Sequence, residues 1–546
     1  MERSKIDHLI VKSIKGAYAA MSMITNPILP GFHADPSILR VGEDFYIATS
    51  TFEWFPGVRI HHSRDLKNWS FAGSPLTRTS QLDMKGNMNS GGVWAPDLSW
   101  HDGTFYLIYT DVKQWHGAYK DAHNYLVTAP AVTGPWSEPV YLNSSGFDPS
   151  LFHDDDGRKY LVNMIWDYRS GNHPFAGIVL QEFDEEAGAL TGPIQTIYEG
   201  TDIKLTEGPH LYKKDGWYYL LVAEGGTEYE HAETVARAKT IDGPYETDPH
   251  YPLLTSRGNP DLTIQKAGHA SLVDTPNGEW YLAHLGGRPL NGKYCTLGRE
   301  TSIQKVVWTD DGWLRLAHGG HFPQAETEAP DLPEVKVDKE PVRDDFNTDV
   351  LGGAWNSLRI PADPSWCSLD DRPGHLRLYG RESLSSVHHQ SLIARRQTHF
   401  ACRVQTSVDA VPEDFQQKAG LVVYYDTEDH AYLHVTHHEE KGRVLQILRT
   451  VGGDYEEVLL PPQRVAQEGP VELACDIHYD TMQFFYRDAE TTDWQPLGKR
   501  LDTTHMSDDS AAHVRFTGTF VGMACQDYSG RRMAADFDYF DYEPVE

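Results

Sequence analysis

Cysteine is scarce in this chain. There are five, Cys295, Cys367, Cys402, Cys475 and Cys525, among 546 residues. They are odd in number, unclustered, and never in C-x-x-C spacing. That argues against a disulfide framework and a thiolate metal site, and it fits a reducing compartment. Basic residues are also in deficit: 48 Lys and Arg stand against 79 Asp and Glu, a formal charge of −31. A field of that sign repels nucleic acid and anionic membranes and suits neutral or cationic partners. The charge is spread along the chain, so it also serves plain solubility. No apolar run approaches the roughly 20 residues that span a bilayer. Residues 1–22 come nearest to a targeting segment, but Lys12 and Lys15 interrupt their apolar residues and leave no adequate hydrophobic stretch. A cytoplasmic protein with no nucleic-acid or membrane partner is expected. Helical periodicity is nearly missing as well.

What the chain has in abundance is aromatic residues and short strands: 14 Trp, 28 Tyr and 20 Phe. One pattern occurs five times at a period of about 55–60 residues: a small or acidic residue, usually Pro, a short apolar strand, a polar turn, then an aromatic strand. Its copies begin at Ala34-Asp35-Pro36-Ser37, Trp94-Ala95-Pro96-Asp97, Phe147-Asp148-Pro149-Ser150, Thr206-Glu207-Gly208-Pro209 and Gly268-His269-Ala270-Ser271. Strand repeats of this length suggest a radial array, a β-propeller, in which equivalent positions converge on one axis.

Three copies carry an acid at what reads as the same place: Asp35, Asp148 and Glu207. Convergent carboxylates are what glycoside hydrolysis requires, one as base for water and one as acid for the leaving oxygen. The other reading is that Asp-Pro and Glu-Gly-Pro are turn devices. A folding device should recur in all five copies, and here only three have the acid. Asp97 is rejected as a fourth member, because it lies two residues past Ala95 and roughly 7 Å further along a strand. Arg299 could grip hydroxyls through its fork or form a plain ion pair. His269 could be functional or a satisfied core histidine. Phe52, Trp94 and Trp166 lie near the repeat starts and suit either sugar stacking or core packing. The acidic turn Asp154–Gly157 lacks the further ligands of a calcium loop.

From about residue 319 to 342, Pro, Gly and acids replace the strand pattern, which reads as a linker. Short alternating strands resume beyond Asp344 and predict an antiparallel two-sheet sandwich. The expected organisation is an N-terminal extension over 1–23, a propeller over 24–320, a linker over 321–342 and a β-sandwich over 343–546.

The ordered set of motifs resembles glycoside hydrolase family 43, and more narrowly its two-domain β-xylosidases. Asn26–Ser37, Ala48–Gly57, Trp94–Leu98, Gly146–Ser150, Thr206–His210, Gly268–Leu272, Leu297–Thr301, Leu376–Leu384 and Asp536–Phe540 carry the likeness. It covers residues 24–546; the first 22 have no counterpart. The resemblance implies an all-β chain, a five-bladed propeller followed by a concanavalin-like sandwich, and an inverting mechanism. Asp35 would be the general base, Glu207 the general acid, and Asp148 the group that tunes the acid and orients the sugar. Arg299 would contact substrate hydroxyls near Glu207. His269 would lie on the pocket floor, with no cofactor required and calcium an option beside it. Phe52, Trp94 and Trp166 would wall the terminal sugar, and Phe520 from the sandwich would close the pocket. The 289–296 loop looks shorter than in some relatives and would border the leaving-group side. The implied activity is release of xylose from non-reducing ends of xylobiose and short β-1,4-xylo-oligosaccharides, by a dimer or tetramer. The rivals are a main α-L-arabinofuranosidase activity and a catalytically silent sugar-binding propeller.

Overall fold

The computed structural model describes residues 22–510 and 514–545. The described residues contain strands, turns and no α-helix. Residues 1–21 of the expected extension lie outside them.

Each sequence repeat is one blade, a sheet whose main strands follow in chain order. The innermost strands are Ala34–Val41, Gly92–His101, Ser150–His153, Glu207–Lys214 and Gln265–Asp274. The polar turn of each repeat returns the chain into a second strand, for example Asp44–Ser50 or Trp217–Glu224. These second strands are apolar on both faces because each blade is covered by a neighbour on either side. Leu107, Ile108, Leu220, Leu221, Leu282 and Ala283 are all buried accordingly.

Among the described residues the ring closes without a swapped strand. Ser271 Oγ donates to the carbonyl of Pro36 at 2.7 Å and accepts from the Ile38 N–H at 2.9 Å. Arg40 adds a two-pronged bond to Asp274, at 2.9 and 2.8 Å. Asp97 bolts the centre: it accepts from Ser37 Oγ and from the Leu151 N–H, both at 3.0 Å, and so ties blades I, II and III.

The stretch expected to be a linker is in part a strand. Glu326–Glu328 pairs with Met23–Thr25, and the Val335 N–H bonds the Asp65 carboxylate. Its Pro-rich composition hides this, because a two-stranded ribbon of three residues has no periodicity to read.

The sandwich has two antiparallel sheets. In the strand Gln417–Tyr424, Leu421 and Val423 face the sandwich core, while Val422 and Tyr424 face the propeller. Phe520–Asp527 alternates the same way, with Val521, Met523 and Cys525 in the core and Phe520 and Ala524 toward the propeller. Both faces are apolar because both are covered. The contact is tight enough to require glycine: a Cβ on Gly298 would stand 2.5 Å from the Thr517 carbonyl oxygen, and one on Gly518 would stand 2.6 Å from that of Leu297.

Candidate active site

At the head of every inner strand the backbone turns through the left-handed region. Asp35, Ala95, Asp148, Gly208 and His269 have φ of 54°, 26°, 54°, 57° and 48°. Four of the five precede proline, and four are non-glycine residues in a region such residues rarely adopt, so the feature is a built bulge repeated around the axis. It turns the side chains of this step onto the floor of a central funnel.

The pattern corrects the alignment of the acid in the fourth repeat. Glu207 is not equivalent to Asp35 and Asp148; Gly208 is. Glu207 pairs across its hairpin with Ala223 just as Ala34 pairs with Ser50 and Trp94 with Thr110. Glu207 therefore shares its step with Ala34, Trp94 and Phe147. Trp94, Phe147 and Glu207 line the wall of the pocket, whereas Asp35, Asp148 and His269 form its floor. Glycine is needed at 208, because a Cβ there would lie 2.9 Å from His269 Nε2.

The pocket has a volume of about 300 Å³. Asp35 is gripped on both oxygens: Arg299 Nη1 donates to Oδ1 at 3.1 Å and Ser50 Oγ to Oδ2 at 2.5 Å. His269 Nδ1 stands 3.6 Å from Oδ1. Burial alone would raise Asp35, but Arg299, His269 and Ser50 outweigh it and hold the carboxyl below its ordinary value. Arg299 thus pairs with Asp35 rather than with Glu207, and its Nη2 donates to the Phe516 carbonyl at 3.2 Å.

Glu207 is in the opposite condition. It is buried, and its Oε1 has no hydrogen-bond partner among the described residues. Burial, then the charge of Asp35, push it up to about 8, against weaker pulls from Arg299 and Lys120. Asp148 is also raised, by burial and by the charges of Glu207 and Asp35. The two carboxyls therefore keep a proton between them at neutral pH. The Gly208 N–H donates to Asp148 Oδ2 at 3.1 Å, a bond that favours the ionised form of Asp148 and works against its burial.

Calcium takes six to eight oxygen ligands. His269 offers nitrogen, its burial keeps it neutral with a value lowered to about 4, and the carboxylate beside it is already held by Arg299 and Ser50. These residues do not form a calcium cage.

The walls hold both expected and unexpected aromatics. Phe52 and Trp94 line the pocket, and Trp166 stands at its rim with its indole N–H bonded to the Ala118 carbonyl at 2.8 Å. Phe520 does not line it. That ring is fully buried and stacks on Trp54 at 3.6 Å, as part of the domain interface. The sandwich aromatic that reaches the pocket is Phe516, four positions earlier, with ring centroids 5.7 Å from Phe52, 5.3 Å from Trp94 and 5.1 Å from Trp115. Its N–H is pinned by Ser90 Oγ at 3.1 Å. Trp115, Lys120, Phe147 and Phe175 also line the pocket and were missed; only Phe147, beside Asp148, carried a signal in its repeat position. Lys120 Nζ lies 4.2 Å above the Trp166 ring. Leu205, residues 225–228 and Val514, not the 289–296 loop, complete the lining.

The two phenylalanines are expected to separate on mutation. Phe516→Ala should raise KM several-fold and leave the melting temperature within a few degrees. Phe520→Ala should destabilise the fold by about 3–5 kcal/mol, the usual cost of emptying a buried aromatic site. Steady-state kinetics and thermal unfolding of the two variants check this.

One carboxyl held below its ordinary value and two raised above theirs thus face one aromatic-walled pocket. Known proteins share this frame. The chain is 71% identical to the xylan beta-1,4-xylosidase from Bacillus Halodurans C-125, whose crystal structure superposes with a TM-score of 0.95 over 95% of this chain and 100% of that one. It is 51% identical to a beta-xylosidase of Bacillus subtilis (strain 168), over 95% of this chain and 99% of the relative. It is 50% identical to xylosidase/arabinosidase 43B of Humicola insolens, over 96% and 98%. Residues 343–543 match the beta xylosidase C-terminal concanavalin A-like domain. Residues 24–314, which hold all five blades and all three acids, match the glycosyl hydrolases family 43, and the chain belongs to that family.

Proposed function

We propose that the protein is an exo-acting, inverting β-xylosidase that releases one xylose from the non-reducing end of short β-1,4-xylo-oligosaccharides. The observation that carries this reading is the opposite treatment of two buried carboxyls in one pocket, Asp35 held low and Glu207 pushed up to about 8. Near neutral pH the first is a base and the second an acid.

In this reading a water molecule rests against Asp35. Glu207 gives its proton to the glycosidic oxygen as that bond to the anomeric carbon breaks. The water oxygen bonds the same carbon from the opposite face and yields its proton to Asp35. The product sugar therefore leaves with inverted configuration, and the two carboxyls have exchanged protonation states. Asp148 holds sugar hydroxyls and, through its charge, helps keep the proton on Glu207. Arg299 keeps the base ionised. Phe52, Trp94, Phe147 and Phe516 enclose the terminal ring, and the closed floor limits cleavage to chain ends.

A terminal α-L-arabinofuranose presents similar hydroxyls to such a pocket. The Humicola insolens relative is named xylosidase/arabinosidase 43B. Arabinofuranosidase action is accordingly placed as the second activity of the same site. The five cysteines, all buried and none in a disulfide among the described residues, suit a reducing cytoplasm. Assembly as a dimer or tetramer belongs to the same proposal, and light scattering of the purified chain checks it.

The pH profile tests the assignment. Asp35 must be ionised, so kcat/KM should fall on the acid side only below the ordinary carboxylate range. Glu207 must be protonated, so kcat/KM should fall as pH rises through about 8. A profile on xylobiose that stays flat up to pH 9.5 or so would contradict the acid assignment.

A further inference from the structure

Behind the strand that carries Asp35, where blade I meets the sandwich, a group of basic side chains is buried together. Arg59 and His61 come from the strand Arg59–Ser63, His33 from the segment just before the inner strand, and Arg395 and Arg396 from the sandwich strand Ser391–Arg396. All five are at least nine-tenths buried. The rings of His33 and His61 meet edge to face at 4.9 Å. The acid that pairs with this group is Glu340, 2.7 Å from Arg395 Nη2, and its side chain is 53% exposed.

The remaining bonds are to neutral groups. Arg59 Nη1 donates to the Gly353 carbonyl at 2.7 Å. Arg396 donates through Nε to the Phe32 carbonyl at 2.7 Å and through Nη1 to Asn356 Oδ1 at 3.1 Å. Arg59 lies over Phe71 at 4.2 Å, and Arg396 over Phe520 at 5.1 Å. Among the described residues, Arg59 Nε, Arg395 Nε, Arg396 Nη2 and His61 Nδ1 have no hydrogen-bond partner. Burial and the neighbouring guanidiniums lower both histidines, which leaves them neutral and able to donate one N–H each.

Three guanidiniums thus face one half-exposed carboxylate, with several donors unspent. A buried charge is tolerated when it is paired, and a buried N–H when it is bonded. Guanidinium forks and imidazole N–H groups are donors only, so the missing partner is an acceptor of negative charge. We propose that this nest binds a small inorganic anion, chloride or an oxyanion of phosphate size, on Arg59, Arg395 and Arg396. The ion also braces the base: Arg396 holds the Phe32 carbonyl, and the His33 N–H bonds the Arg299 carbonyl at 2.9 Å, two residues from Asp35.

The test is thermal unfolding of the full chain at fixed ionic strength, with sodium gluconate exchanged for sodium chloride, and separately with millimolar phosphate. Chloride or phosphate should raise the melting temperature by about 3 °C or more in a saturable way, and Arg396→Gln should reduce that rise to under about 1 °C. Crystals soaked in bromide should give an anomalous peak among the three arginines; for a site that takes only oxyanions, phosphate-soaked crystals should show tetrahedral density there. If Arg396→Gln does not fold, the crystals decide alone. Equal melting in all three salts with no density overturns the proposal. So does a shift that persists in Arg396→Gln without density. A bromide peak with no stability shift marks an adventitious ion only and overturns it too.

Discussion

Replacing Glu207 by Gln is expected to lower kcat on xylobiose by about 10³-fold or more, with much smaller loss on an aryl xyloside whose leaving group needs no proton. The isosteric amide fills the same space but has no proton to give. The alkoxide leaving xylobiose needs that proton; a nitrophenolate does not. The gap between the two substrates is the signature of a lost acid, because damage to the pocket would slow both alike. Stability should move the other way. Glu207 keeps its proton in the fold up to about 8, while in the unfolded chain it ionises near the ordinary glutamate value of about 4.3. Between those limits the folded state binds more protons, so raising the pH weakens the wild-type fold. The Gln variant lacks this term. Its melting temperature at pH 8 should equal or exceed that of the wild type, with the difference shrinking as pH falls toward 4.3 or so. Rapid turnover of xylobiose by the Gln variant would remove Glu207 from the acid role. Its inactivity alongside an active wild type would dismiss the silent-binder reading.

Asp35→Asn is expected to abolish nearly all turnover on both substrates, by about 10³-fold or more, whatever the leaving group. Water must lose a proton in either reaction, and an amide does not take it. The fold should survive, because Asn still offers an oxygen to Arg299. It should nonetheless melt earlier than the wild type at neutral pH. Asp35 sits below its ordinary value in the fold, so its stabilising effect is present above the unfolded value near 3.9 and is lost as pH falls through the folded one. The Asn variant loses that at neutral pH and leaves the buried Arg299 without its counter-charge. The two variants thus differ in substrate pattern and in the sign of their stability change. Random damage to the site would not produce that pair.

The five blades were legible in the sequence because each carries its own short apolar strand, polar turn and aromatic strand. Asp35, Asp148 and Glu207 were legible as a set because each stands at the start of a repeat and repeat starts converge on one axis; one pocket brings all three together. The register of Glu207 was misread by one residue through aligning acids instead of prolines; Pro209 follows Gly208 just as Pro36 follows Asp35, so the signal was there. Phe516 is a different case. Nothing local separates Phe516 from Phe520, since both are apolar residues around a glycine. What separates them is that Phe520 begins a strand whose alternate residues face the propeller core, while Phe516 lies on the loop before it, tied to Ser90 and Arg299. The pairing of Arg299 with Asp35 across 264 positions of sequence, and the strand inside the presumed linker, depend in the same way on contacts that local pattern does not encode.

The central claim is that Asp35 and Glu207 act on opposite faces of the sugar through one water. Proton NMR of xylobiose hydrolysis tests it most directly, read within the first turnovers before the anomers equilibrate. The account predicts that the xylose released from the non-reducing unit appears first as the α-anomer. β-Xylose as the first-formed anomer would mean retention, and would contradict the roles given to Asp35 and Glu207.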